Sequence, residues 1–186
     1  LMPLTTLDAT AALIVIDLQK GITGVPAAHP IAGVLARNAE LTRAFRQRNL
    51  PVVLVNVAGA APGRTDAPRR MPANLPSDWA ELVAELDPQP TDIRITKHAW
   101  GAFSNTILDA TLRQRGVTQV FITGISTSIG VETTARDAYG LGYNVVLITD
   151  AMTDREATAH QHSVENIFPR LGETDTTSNI LKRLTE

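Results

Sequence analysis

Four stretches of the chain are almost continuously apolar and rich in valine and isoleucine. They are residues 11–17, 51–57, 117–124 and 143–150. Their apolar and polar positions hardly alternate, which is typical of strands that are covered on both faces, as in a parallel sheet. A shorter stretch, residues 92–97 (DIRITK), does alternate and predicts a fifth strand.

Amphipathic stretches with the period of an α-helix lie between these strands. Their apolar residues share one helical face in residues 31–49, 77–86, 104–115 and 129–141. Ser77 stands where the second of these helices needs an N-cap, and Gly116 stands where the third needs a C-cap. This alternation predicts a three-layer, doubly wound α/β fold, with a central parallel sheet flanked by helices. One domain over residues 1–186 accounts for the length.

The composition limits the kinds of partner. The chain has 186 residues, a formal net charge of -2 and no cysteine. No apolar run reaches the ~18 residues of a membrane span. We therefore expect a cytoplasmic protein that acts on a small molecule and binds neither nucleic acid nor a membrane. Residues 58–76, which are rich in Pro, Ala, Gly and Arg, form the one long loop and the candidate lid.

Polar residues stand at the carboxyl ends of the predicted strands, where open parallel sheets bind their ligands. Asp17 and Lys97 each end a strand, and the turn GISTSIG (124–130) leads from another strand to a helix N-terminus. Taken singly, they fit a turn-forming acid, a solvated lysine and a plain tight turn. Their coincidence at one sheet edge predicts an acid–base pocket that binds anions. Asp150, at the end of the last stretch, is expected to cap the following segment, AMTDREATAH.

Other catalytic arrangements find less support. His160 and His162 would diverge around a helix, so we expect both on the surface. Ser126, Thr127 and Ser128 carry hydroxyl groups near the pocket, but the sequence shows no histidine placed to activate them. No histidine pair stands with an acid at metal-ligand spacing near a strand end, so we expect no metal and no cofactor.

Three blocks of the chain resemble the isochorismatase-like (cysteine hydrolase) superfamily. They are ALIVIDLQKG, ITKHAWGAFSNTILDATLRQRGVTQVFITG and STSIGVETTARDAYGLGYNVVLITDAMTD, in order from about residue 10 to 170. The resemblance implies a parallel sheet of about six strands and a catalytic set of Asp, Lys and Cys that hydrolyses amides through a thioester. Asp17 and Lys97 match the first two, and Gly130 occupies the position of the cysteine. The resemblance also implies a cis peptide at Ile125–Ser126.

The glycine at position 130 changes the implied chemistry. Isochorismatases themselves carry Gly there and cleave an enol ether without a covalent intermediate. By this resemblance Asp17 is the general acid/base with Lys97, and the amides of Ser126 and Gly130 bind an oxygen of the ligand. The other substrate-binding residues that we expect are Gln19, Trp100, Phe103, Ile125 and Thr127. For Trp100 and Phe103 an ordinary core position is the alternative.

Two further differences leave the substrate open between an enol ether and an amide. Residues 57–59 (VAG) and Ser126 stand where isochorismatases place a Gln and a Tyr. No zinc ligands of the nicotinamidase branch appear near residues 56–62.

Three hypotheses for the function remain. The first is a hydrolase that acts on a small anionic molecule without a covalent intermediate. The second is a catalytically silent relative that binds a metabolite, and the third is that Gly130 is engineered or a variant. Retention of Asp17 and Lys97 favours activity, because a pure binding protein has less need of a buried charged pair. Enzymes of this superfamily are commonly oligomeric, so we expect a homodimer or a larger assembly.

Overall fold

The structure is a computed structural model that describes residues 3–67 and 74–186. Within these residues one sheet has six strands: β1 (Ala11–Ile16), β2 (Val52–Val57), β3 (Ile93–Lys97), β4 (Gln119–Ile125), β5 (Asn144–Thr153) and β6 (Glu173–Asp175). Every neighbouring pair is parallel, and the strand order is β3-β2-β1-β4-β5-β6. The predicted parallel α/β sheet is therefore confirmed, and β6 is the strand that the sequence did not reveal.

Helices cover both faces of the sheet. They are α1 (Lys20–Thr23), α2 (Ile31–Gln47), α3 (Leu108–Gln114), α4 (Glu132–Gly140), α5 (Ala157–His162) and α6 (Thr177–Thr185). Single 3₁₀ turns lie at Ala84–Leu86 and Phe168–Arg170, and π turns lie at Thr127–Val131 and Ser163–Ile167.

The alternation of side chains along β1 shows why the sheet needs two helical layers. Leu13 and Val15 pack with the apolar residues of α2 and α6, whereas Ile14 and Ile16 pack with those of α3 and α4. Every residue of β1 is buried. A strand that is apolar on both faces buries that surface only between two layers, at about 25 cal/mol per Å² of apolar area.

The helix predicted at residues 77–86 is wrong. The backbone of this segment bonds to the chain after β1: Lys20 and Gly21 donate N–H groups to the carbonyls of Glu81 and Trp79, and Val83 donates to Leu18. These bonds replace the bonds that a helix would make to itself, so Ser77 caps no helix. The apolar residues that suggested a helical face still reach the core, from an extended segment and the 3₁₀ turn.

Two other predicted helices differ from the structure at their starts. The helix expected at residues 104–115 is α3, which starts at Leu108. Gly116 follows this helix with a φ of 69°, in the left-handed conformation that often ends helices, as expected. The helix expected at residues 129–141 is α4, and it is preceded by the π turn Thr127–Val131.

The predicted role of Asp150 is also wrong. Strand β5 does not end at this residue but continues to Thr153, with a register shift against β4. Oδ1 of Asp150 accepts hydrogen bonds from the N–H and the hydroxyl of Thr177, at 2.8 and 2.9 Å, and its Oδ2 lies 3.3 Å from Nε of Arg37. Asp150 therefore joins the start of α6 to α2 and does not cap the segment that follows it.

The candidate lid is described only in part. Residues 58–67 and 74–76 contain neither helix nor strand, and residues 68–73 lie outside the described residues. In the described part of the chain, no helix is long and apolar enough to span a membrane.

Candidate active site

The strand order places the candidate site at the point where the chain reverses its direction across the sheet. From β1 the chain moves outward to β3 and then returns to β4, which pairs with the other side of β1. Ligands of open α/β sheets bind outside the carboxyl ends of the strands at such a reversal. Asp17 follows β1, Lys97 ends β3, and the turn of residues 126–130 follows β4. The topology thus brings the three predicted elements to one edge.

Asp17 and Lys97 form a buried ion pair. Nζ of Lys97 lies 2.8 Å from Oδ2 of Asp17, and the two residues are only 2% and 5% exposed, respectively. Nζ also donates to the carbonyl oxygen of Ala99, at 3.1 Å. Asp17 itself has a left-handed backbone with a φ of 53°, which is uncommon for residues other than glycine and occurs often at functional sites.

The second oxygen of Asp17 is free. Oδ1 is buried and has no hydrogen-bond partner in the described part of the protein. Burial raises the pKa of Asp17 from 3.8 to about 6, because the effect of burial exceeds the opposing charge and hydrogen bond of Lys97. A carboxyl group with this pKa exchanges a proton near neutral pH, and its Oδ1 has an unused capacity to accept a hydrogen bond.

Gly130 lies directly beside this carboxylate. A β-carbon built at Gly130 would be 3.4 Å from Oδ2 of Asp17 and 3.5 Å from the carbonyl oxygen of Trp100. It would be 3.0 Å from Cγ2 of the buried Ile16, so this side chain would have to move by a few tenths of an ångström. The backbone of the turn therefore presents position 130 to the acid. The Ile125–Ser126 peptide at the start of the turn is cis, as expected.

Two side chains that follow β5 hold the turn. Nδ1 of His160 lies 2.8 Å from the hydroxyl oxygen of Thr127. Oδ2 of Asp154 accepts hydrogen bonds from the N–H and the hydroxyl of Ser128, at 2.7 and 2.8 Å. A histidine does contact this turn, which the sequence did not indicate: His160 is only partly exposed, whereas His162 is exposed as expected.

Asp154 is a residue that the sequence analysis missed. It is almost fully buried, and besides the bonds to Ser128 it accepts one from the N–H of Arg155 at 2.7 Å. It reaches the turn because the register shift in β5 carries the strand past Asp150. That shift depends on the pairing of two strands and leaves no mark in the periodicity of either one.

Gln19 has a different role from the one expected. Its amide oxygen accepts from the N–H of Val57 at 2.8 Å, and its amide nitrogen donates to the carbonyl oxygens of Val57 and Trp79, at 3.0 and 3.2 Å. Both amide hydrogens are thus used by the backbone. Gln19 joins the end of β2 to the segment around Trp79, and its nitrogen is not available to a substrate.

The two aromatic residues after β3 lie in different surroundings. Trp100 is 64% exposed, so it is not a core residue, and its carbonyl oxygen lies beside Gly130. Phe103 packs against the core under α3 and α4, where its ring stacks on that of Tyr143 with centroids 5.8 Å apart. Tyr143 immediately precedes β5, at the opposite edge of the sheet from Asp17. Phe103 therefore occupies an ordinary core position and does not line a pocket next to Asp17.

No cluster of three or more His, Cys, Asp or Glu residues is arranged to hold a metal ion within residues 3–67 and 74–186. The nearest arrangement is a pair of imidazoles, since the rings of His29 and His160 are 4.7 Å apart and meet edge to face. Their Nδ1 atoms contact the hydroxyl groups of Thr153 and Thr127 instead. In this arrangement the two histidines form hydrogen bonds with threonine hydroxyl groups and do not form a metal site.

Comparisons with known proteins identify the family and agree with the fold. The isochorismatase domain matches residues 11–179. The chain is 41% identical over 180 residues to the uncharacterized isochorismatase family protein YwoC of Bacillus subtilis, covering 93% of each. It is 31% identical over 210 residues to the ureidoacrylate amidohydrolase RutB of Variovorax paradoxus, covering 97% of this chain and 83% of the relative. The structure of an isochorismatase family protein from Burkholderia thailandensis superimposes with a TM-score of 0.93 at 42% identity, covering both chains completely.

Proposed function

Because this chain belongs to the isochorismatase family of hydrolases, we propose that it hydrolyses a small anionic molecule without a covalent acyl-enzyme. Asp17 is the general acid/base of this reaction, and Lys97 keeps it partly ionised and orients it. The enzyme needs no cofactor in this scheme and works as a single domain.

The observation that carries the proposal is the free oxygen of a buried, titrating carboxylate. Oδ1 of Asp17 has no partner in the described residues, while Oδ2 is held by Lys97. With a pKa of about 6, roughly a tenth of Asp17 is protonated at pH 7, so both forms are present. A side chain that exists in both forms at working pH is suited to general acid/base catalysis.

Gly130 is the second part of the proposal. We assign it to the position where the family's cysteine hydrolases carry their nucleophile, and the sequence has no cysteine that could take this role. A β-carbon at position 130 would lie 3.4 Å from Oδ2 of Asp17, and in this scheme a water molecule or a substrate atom takes the place of the missing side chain. The amides of Ser126 and Gly130 bind the substrate oxygen or carboxylate, at the start of the turn that leads into α4. Trp100, Ile125 and Thr127 complete the substrate site.

Two substrate classes fit this arrangement. An enol ether requires Asp17 to donate a proton to the vinyl carbon; water then adds to the cation and returns a proton to Asp17, and the hemiketal breaks its C–O bond to give a ketone and an alcohol. A ureido or carbamoyl amide requires Asp17 to take a proton from the attacking water and to pass it to the leaving nitrogen as the C–N bond of the tetrahedral intermediate breaks. We include amides among the candidate substrates because the chain is 31% identical over 210 residues to RutB, a ureidoacrylate amidohydrolase.

A hydrolysis screen tests the proposal. Vinyl ether carboxylates and ureido or carbamoyl acids are incubated with the wild type, with Asp17→Asn and with Glu40→Gln, which changes an exposed carboxylate on α2. We expect turnover by the wild type and the Glu40→Gln control, and a loss of at least about 100-fold in Asp17→Asn.

Mass spectrometry of the intact protein during turnover separates the mechanisms. The proposal expects no mass increase, and a covalent adduct on the wild type contradicts it. Binding of a compound from the panel without any turnover favours the second hypothesis, a silent relative that binds a metabolite.

We also propose that the protein is a cytoplasmic homo-oligomer. Within the described ranges, three large apolar side chains are more than half exposed: Trp100, Ile107 and Tyr139 at 64%, 69% and 57%. Association with a second copy would cover such side chains. Light scattering during gel filtration measures the mass, and a monomer at micromolar concentration contradicts the proposal.

A further inference from the structure

Two successive side chains of the turn that carries Gly130 form hydrogen bonds with the same segment of the chain, residues 154–160. Thr127 contacts Nδ1 of His160 at 2.8 Å, and Ser128 donates two hydrogen bonds to Asp154. Both anchors belong to the segment that follows β5. The two anchors differ in chemistry, because a carboxylate accepts hydrogen bonds whereas an imidazole can either accept or donate.

The imidazole anchor belongs to a pair of histidines. The ring of His160 meets that of His29, and Nδ1 of His29 lies 2.9 Å from the hydroxyl of Thr153. His29 also lines a cavity of about 340 Å³ between the start of α2 and β5. Water can therefore exchange protons with the pair from that side, while the hydroxyl of Thr127 is buried on the other.

We propose that His160 is a positioning residue of the hydrolase, which sets the placement of the Gly130 turn through Thr127 and reverses the direction of this hydrogen bond on gaining a proton. This assignment rests on the proposed function, since it concerns the same turn. When neutral, Nδ1 of His160 accepts a hydrogen bond from the hydroxyl of Thr127. A protonated imidazole can only donate, so the bond must reverse and the Thr127 hydroxyl must turn its hydrogen elsewhere.

The charged groups around His160 determine at which pH this happens. Burial lowers the pKa of His160, the neighbouring His29 lowers it further, and Asp154 acts in the opposite direction. The neutral, accepting form is therefore favoured at neutral pH, and the change occurs as the solution becomes acidic. Removal of the His29 ring would shift this change to higher pH.

Nuclear magnetic resonance of the ¹⁵N-labelled protein tests the assignment without any substrate, so the result does not depend on whether the proposed hydrolysis is correct. We expect the neutral ring of His160 to carry no proton on Nδ1. On acidification, the amide signals of Thr127 and Ser128 should shift with the same midpoint as the His160 ring. Asp17 also titrates, with a pKa of about 6, and can move the Gly130 amide, so the amides of Thr127, which bonds to the imidazole, and of Ser128 are the ones followed.

Matched variants separate His160 from its neighbours. In His160→Gln, the amide chemical shifts of Thr127 and Ser128 should no longer change with this midpoint. In His162→Gln, on the exposed end of α5, the change should remain. His29→Asn should move the midpoint to higher pH.

Two variants at position 127 keep the test valid if His160→Gln does not fold. In Thr127→Ser, which keeps the hydroxyl, the amides and the His160 ring should still titrate with the same midpoint. In Thr127→Val, which lacks it, the amide shifts should no longer follow the titration of the ring. The assignment is overturned if the change persists in His160→Gln, if Nδ1 carries the proton in the neutral ring, or if Thr127→Val still follows the His160 titration.

Discussion

Oδ2 of Asp17 lies 2.8 Å from Nζ of Lys97, and both groups are almost completely removed from solvent. The pair joins the ends of β1 and β3, which are separated in the sheet by β2. A buried pair of this kind rarely adds much stability, because the loss of hydration offsets the attraction between the charges. Its consequence is chemical: the carboxylate keeps one free oxygen and a pKa of about 6.

The pH dependence of turnover should reveal which proton transfer Asp17 performs. An amide substrate needs the ionised form as a base, so the rate should rise with pH and level off above about 6. An enol ether needs the protonated form as an acid, so the rate should fall about tenfold for each pH unit above that value. Initial rates measured from about pH 5 to 8 distinguish the two directions, and a flat profile contradicts the role of Asp17.

Removal of the lysine charge should raise the pKa of Asp17 further. Lys97→Met keeps the length of the side chain but removes the charge and the hydrogen bond that lower the pKa of Asp17. The ¹³C signal of the Asp17 carboxyl group should therefore titrate above about 6. Lys20→Met is the control, since Lys20 forms its ion pairs at the surface. An unchanged Asp17 titration in Lys97→Met would contradict this account.

The same variant should have a pH-dependent stability. A carboxyl group whose pKa is higher in the folded than in the unfolded protein binds its proton more tightly when folded, so the free energy of unfolding rises as the pH falls through the folded pKa toward the unfolded one. Breaking a buried pair costs about 3–5 kcal/mol when the remaining group stays charged. We expect a loss of that size for Lys97→Met in urea unfolding at pH 8 and a smaller loss at pH 5. Equal losses at both pH values would be inconsistent with an unpaired Asp17 carboxylate.

The sequence predicted the convergence of Asp17, Lys97 and Gly130 because parallel strands have their carboxyl ends at one edge. Each of the three stands at or just beyond the end of an apolar stretch, and such stretches are visible in the sequence alone. The strand positions, the sheet type and the cis peptide at Ile125–Ser126 are confirmed by the structure.

The features that the sequence did not reveal depend on distant backbone pairings. Residues 77–86 have a helical pattern, but the chain after β1 supplies their hydrogen bonds, so the helix does not form. Asp154 reaches the turn only through a register shift between β4 and β5. Gln19 is a polar residue in the expected place, yet the backbone of Val57 and Trp79 uses its amide. Each of these features could be predicted only if it were known which distant segment of the chain pairs with the residue.

Replacement of Gln19 should lower stability. Gln19→Leu leaves the N–H and carbonyl groups of Val57 without the partners that the amide supplies. An unsatisfied buried polar group costs about 1–3 kcal/mol, so we expect a total loss of about 2–4 kcal/mol in urea unfolding. Gln161→Leu, which removes an amide bonded to Glu165 on an exposed helix face, is the control and should change stability by less than about 0.5 kcal/mol. A Gln19→Leu protein as stable as this control would show that water replaces the amide.

Two glycines near the site should differ in how much stability the protein loses when each is replaced by alanine. Gly124 has a φ of 114°, and a β-carbon there would overlap the carbonyl oxygen of Ile16 on the neighbouring strand. A β-carbon at Gly130 would need the Ile16 side chain to move by only a few tenths of an ångström. In urea unfolding, Gly124→Ala should therefore lose at least about 2 kcal/mol, and Gly130→Ala should stay within about 1 kcal/mol of the wild type. Similar losses in both would show that position 130 is closed to side chains.

Gly130→Cys extends this comparison to the chemistry of the site. The chain has no other cysteine, so the variant carries a single thiol at the position that we assign to the family's nucleophile. If this position faces the substrate, iodoacetamide should alkylate the folded protein once, and a substrate found in the hydrolysis screen should slow the alkylation. Amide substrates should acylate the thiol, as mass spectrometry would detect, whereas an enol ether enzyme should lose turnover because the side chain fills the space beside Asp17. A thiol that reacts only after denaturation would place position 130 away from the substrate and exclude it from the catalytic site.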